Sequence, residues 1–154
     1  MWKDLVLMAH PTFGALGILA AVWVFVETLN AQGANQGRIQ VASLAAAAFI
    51  WASYLIGGYW YVSFYAADKA RILGGPWPFA HNFFMETKEH VFLGLLLLAT
   101  FLPIAAFNNI AVSKGARHLL LLSSAFVVIM GLAMEGAGAF ISMGVKAALI
   151  AKSI

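Results

Sequence analysis

The chain has 154 residues, of which 63% are hydrophobic and only 10% charged, and its formal net charge is +3. Soluble domains are roughly 25% charged, so a water-soluble domain is excluded; cysteine is absent, which excludes disulfides, thiolate metal sites and cysteine nucleophiles. The few cations lie in short connecting segments, as at the flanks of membrane spans, and form no nucleic-acid face.

Four runs approach or exceed the ~20 apolar residues that a bilayer crossing needs. The first, residues 5–29, contains "HPTFG", with Pro11 expected in the first helical turn. It lacks a cleavage-like small-residue site and reads as a retained span. "NAQGANQGR" (30–38) links it to the second run, residues 40–66, which carries "GGYWY". The Gly-, Pro- and charge-rich stretch 67–82 separates this from the third, residues 83–107, and "NNIAVSKGAR" from the fourth, 116–135. Lipid leaves backbone groups no outside partner, so each run should be helical. The expectation is a single-domain, all-α, integral membrane four-helix bundle, up-down-up-down.

After Glu135 come two glycines in "GAGAF" and a tail, 138–152. From Ala116 to the end is 39 residues, or about 58 Å as one helix. The fourth helix must either bend near Gly136–Gly138 or project well past the bilayer. With four spans both termini share one side, which then carries Lys3, Lys69, Arg71, Lys88, Lys146 and Lys152 against Arg38, Lys114 and Arg117 on the other. The positive-inside bias makes the side of the termini cytoplasmic.

His10 and His90 lie at matched depth on the first and third spans, which run in the same direction. Paired histidines on parallel helices suit a membrane b-type haem, one axial nitrogen from each. Each has a glycine four residues on, Gly14 and Gly94, on its own helix face; a porphyrin edge needs such a gap, although glycine at membrane helix contacts is common for packing alone. Lys69, Arg71 and Lys88 stand where haem propionates would emerge. His118 has no histidine opposite it, which argues against a second bis-histidine haem; His81 falls in the connecting stretch.

The carboxylates support a rival. His10, Asp68, Glu86, His90 and Glu135 could gather from all four helices around non-haem iron, manganese or zinc, although the Glu86–His90 spacing is not the Glu-x-x-His of di-iron bundles. Glu89, adjacent to His90, reads as part of a solvated helix start. Glu135, among small and apolar residues, would be costly unpaired in lipid; it and Glu86 are the groups placed to handle protons. Glu27 should pair with Arg117, Lys114 or Arg38. The tryptophans read as interfacial or lipid-facing.

Four spans in 154 residues, a histidine early in the first and "TKEHVFLGLLLL" opening the third resemble small bacterial membrane b-type cytochromes. The layout also resembles the haem-binding four-helix protoporphyrinogen oxidase and copper-resistance membrane families. The resemblance implies a cofactor site lined by His10 and by His90 or Lys88. Three readings stay open: a redox subunit, acting as an oxidoreductase component, with one haem b exchanging electrons with quinone or a partner subunit; a non-haem metal oxidoreductase or transporter; and a cofactor-free accessory subunit of a larger membrane complex or homo-oligomer.

Overall fold

The computed structural model describes residues 2–153. Four long helices account for most of them, α1 (Trp2–Leu29), α2 (Gln36–Leu73), α3 (Glu86–Ala106) and α4 (Lys114–Ala151), with no strand among the described residues. Each helical segment is long and apolar enough to cross a membrane. They pack as a helical bundle. In α2 the buried positions Ile39, Ala42, Ser43, Ala46, Ile50 and Ser53 recur at three- and four-residue intervals, the stripe of a helix facing a core. Gly17 lets α1 approach α2 closely: a Cβ there would stand 2.6 Å from Ile50 Cδ1 and 3.2 Å from its backbone nitrogen.

Two apolar clusters succeed one another along the bundle. The larger is built on Val24, Ile39, Leu102, Ile110, Leu120 and Val127. The smaller holds Tyr65, Ile72, Ala80, Met85 and Ile141, and it explains one departure from the sequence expectations and decides between the two courses open to the tail. The charged stretch after residue 66 does not end α2, because Tyr65, Asp68 and Ile72 lie on its buried face and Arg71 pairs with Asp68 at 2.6 Å within the helix. Nor does α4 break at Gly136–Gly138. It continues because Gly144 lies against Ala80 and Ala148 against Gly75, so the tail is held by packing. At 38 residues each, α2 and α4 are about 57 Å long. Pro11 is likewise not a first-turn residue, since α1 already begins at Trp2.

Between α2 and α3 the chain turns at Gly74–Gly75 and re-enters through a π-helical turn, Ala80–Met85, that runs directly into α3. Widened turns of this kind shift the register of the helix beyond them and are frequent at functional sites.

The opposite ends of the helices are tied by polar contacts. Glu27 accepts from Arg38 Nε at 2.8 Å and from Asn35 Nδ2 at 2.8 Å, so of the three cations expected for it Arg38 is the partner; Arg117 instead donates to the Leu29 carbonyl. Gln36 donates to the carbonyls of Ala106 (2.7 Å) and Asn108 (2.9 Å) and accepts from the Ile110 amide (3.2 Å). One side chain thereby joins α2, the end of α3 and the next link. Gln36→Ala should cost about 1–3 kcal/mol by stranding these groups, and hydrogen exchange should show it as loss of protection at the Ile110 amide.

Candidate functional site

A cavity of about 740 Å³ lies among all four helices, lined mainly by apolar and aromatic side chains and reached by His10, Lys88, Glu89 and Glu135. Volumes of this order hold small cofactors and lipid-soluble ligands. Tyr54 and Phe92 stack at 4.7 Å in its wall. Met8 and Val62 also line it and are exposed on the outer surface of the bundle.

Hydrogen bonds from α2 fix His10. Its Nδ1 donates to the Ser53 carbonyl at 2.9 Å, with Ser53 Oγ 3.1 Å away, while Ser53 Oγ donates to the His10 carbonyl at 2.9 Å. With Nδ1 protonated, Nε2 of the neutral ring presents its lone pair to the opposite side. There Lys88 Nζ approaches to 3.4 Å.

Three glycines on three helices make room for the three polar groups. A Cβ at Gly57 of α2 would stand 2.5 Å from His10 Nδ1; one at Gly138 of α4 would stand 3.2 Å from Lys88 Nζ; one at Gly14 of α1 would collide with Glu135 Oε1. Each group thus occupies a notch on a neighbouring helix. The notch expected at Gly14 for a porphyrin edge holds the Glu135 carboxylate instead. Gly94 has only Met130 Cε nearby, at 3.4 Å, and does not line the cavity.

His90 does not face His10. It is exposed on α3, and its Nδ1 donates to the Glu86 carbonyl of the preceding turn at 2.6 Å. Lys88 occupies the position expected for it. The cause is angular: two residues correspond to about 200° around a helix, so with Lys88 inward His90 points out. Glu89, expected at a solvated helix start, reaches the cavity wall with Oε1 buried and unpaired. Trp60, expected at an interface or against lipid, is also in that wall, with Tyr61 beside it.

The remaining candidates are dispersed. Asp68 and Arg71 pair with each other, Glu86 Oε1 is 3.4 Å from His81 Nε2, Lys69 is half-buried near His81, and His118 is exposed. Among the described residues no group of three or more His, Asp or Glu side chains could hold a metal ion, so the five-residue non-haem set does not assemble. Ser53, which orients His10, carried no sequence signal beyond its place on the inner stripe of α2.

Comparison of the chain with protein-family models, with curated proteins and with solved structures gave no match.

Proposed function

We propose that the chain is a membrane-embedded redox subunit that holds one b-type haem in the cavity and passes electrons to or from quinone or a partner subunit. Its helices cross a bacterial inner membrane up-down-up-down, with both termini on the cytoplasmic side. The observation that carries this reading is the setting of His10. Metal-ligating histidines donate their second ring N–H to a carbonyl or carboxylate, which fixes the tautomer and aims the other nitrogen at the metal. His10 has that partner in the Ser53 carbonyl, and its Nε2 is turned into an apolar cavity lined by all four helices.

His10 Nε2 would hold the haem iron, and Lys88, in place of His90, would be the third-helix group lining the site; a third-helix lysine is one of the two residues that the cytochrome-like layout implies. When bound, the haem supplies one-electron chemistry. The protein's part is to orient and to compensate. Ser53 and Gly57 hold the imidazole in one place, Glu135 balances the charge of Lys88 across the cavity, and the exposed rim at Met8 and Val62 faces lipid, from which a quinone arrives.

The test is the reduced-minus-oxidised spectrum of the purified protein after haem-replete expression. Wild type should show a Soret band with split reduced bands. His10→Ala should lose the haem. Lys88→Ala should retain haem, and His90→Ala should match wild type. A colourless wild-type protein, or an unchanged His10→Ala spectrum, ends the reading.

A further inference from the structure

Beside the cavity lies a second, separate polar chain. Tyr65 and His81 are among the most buried polar side chains, 2% and 3% exposed. The Tyr65 hydroxyl donates to His81 Nδ1 at 3.0 Å, and His81 Nε2 is 3.4 Å from Glu86 Oε1. The His81 side chain is 4% exposed and that of Glu86 47%. The chain therefore runs from the protein interior to its surface in three residues: the phenol donates to Nδ1, and the Glu86 carboxylate lies within ion-pair distance of Nε2.

Its inner end abuts the cavity wall. The Tyr61 ring stacks on Tyr65 at 5.1 Å, and the Trp60 ring lies 5.8 Å from it. Tyr61 and Trp60 both line the cavity, and Tyr61 faces Glu89, whose Oε1 is buried without a partner. The π-helical turn puts His81 there: the Glu86 amide reaches back five residues to the His81 carbonyl, and the widened turn carries His81 inward against α2. A tyrosine–histidine pair that only filled space would need no half-exposed carboxylate on the far ring nitrogen.

We propose that Tyr65, His81 and Glu86 form a proton relay between the cavity and water at this end of the bundle, with Glu89 and Tyr61 as its inner entrance. The relay serves the redox chemistry proposed above and rests on that reading for its proton source. In one passage a proton arrives at the Tyr65 oxygen as its own proton moves to His81 Nδ1. The proton on Nε2 moves to Glu86 Oε1 and from there to water. One proton enters, one leaves, no electron moves, and His81 is left as the other tautomer until a return passage or a ring turn resets it. Lys69 and Asp68 are the other charged groups close to the relay, and neither is a hydrogen-bonded member of it.

Two measurements on the full-length protein test this. In the first, nitrogen-15 NMR of histidine-labelled protein reads exchange of the His81 Nε2 proton with water, with or without haem present. A relay outlet should exchange fast despite its burial, and Glu86→Gln should slow it at least tenfold. A proton that is equally protected in both proteins overturns the proposal. In the second, haem-loaded protein is oxidised in a stopped-flow mixer with a pH dye outside. Tyr65→Phe and His81→Gly should delay proton release at least tenfold with the haem spectrum unchanged, and added imidazole should restore it in His81→Gly. Release that keeps pace in both variants overturns the relay and leaves the haem reading standing, whereas absence of haem defeats that reading and leaves the NMR test of the relay intact.

Discussion

Gly57→Leu should displace His10 and abolish the site, with a loss of stability of about 1–3 kcal/mol, the usual cost of overpacking a filled interior. The imidazole lies directly on the Gly57 backbone. A Cβ there would be 2.5 Å from Nδ1, 2.7 Å from Cε1 and 3.1 Å from Cγ, so even the first added carbon requires the ring to move. The ring cannot move and keep its partners, because the same edge donates to the Ser53 carbonyl one turn earlier on α2. Gly57→Ala should therefore already weaken ligand binding, and Gly57→Leu should eliminate it. Gly58 provides the control. A Cβ at that position meets nothing within 4 Å, so Gly58→Ala should leave both stability and site intact. Thermal unfolding in detergent and the haem-to-protein ratio report the two effects separately. Equal behaviour of the Gly57 and Gly58 variants would show that the glycine notch does not hold the histidine.

The four helices were legible because membrane-length apolar runs are a property of composition along the chain, and composition is what a sequence displays. The depth of a side chain is legible for the same reason, being a residue count multiplied by a rise. His10, the start of α3 and Glu135 accordingly do lie around one cavity. Azimuth is less accessible. Among Glu86, Lys88, Glu89 and His90, which side chains face inward depends on how α3 is rotated, and that rotation is set by the π-helical turn at Ala80–Met85 and by packing on α2 and α4. Nothing in "METKEH" announces the extra residue per turn. Glu89 and His90 indeed point to different faces, but it is His90 that turns outward and Glu89 that reaches the cavity. Charge content misled at residues 67–73, a local helix-breaking signal overridden by long-range burial around Ile72, Ala80 and Ile141, and the same burial decides that α4 continues through 136–138, which the glycines had left open. Glu135 was the residue whose placement could be argued from energy, and it occupies an interior notch, as the cost of an unpaired carboxylate in lipid demands.

That notch leads to the second large effect. Lys88→Met alone should destabilise the protein by about 1–3 kcal/mol, the cost of leaving an interior polar group, here the Glu135 carboxylate, uncompensated. Lys88 Nζ has His10 Nε2 at 3.4 Å and the Glu135 carboxylate as its opposite charge across the cavity. Without the cation, Glu135 is confined against Gly14 among apolar neighbours, where no other Lys or Arg among the described residues lines the cavity. Adding Glu135→Gln to Lys88→Met removes the uncompensated charge, so the double variant should recover a large part of the loss and the two substitutions should be strongly non-additive. Reversible unfolding in mixed micelles gives the four corners of the cycle. Simple additivity would mean that Lys88 and Glu135 do not act on one another, and that the lysine is placed by His10 alone. A cavity that has lost both groups keeps its shape and its histidine. It should therefore still take up haem, and any defect in its redox-linked proton release then belongs to Glu135 and Lys88, not to the fold.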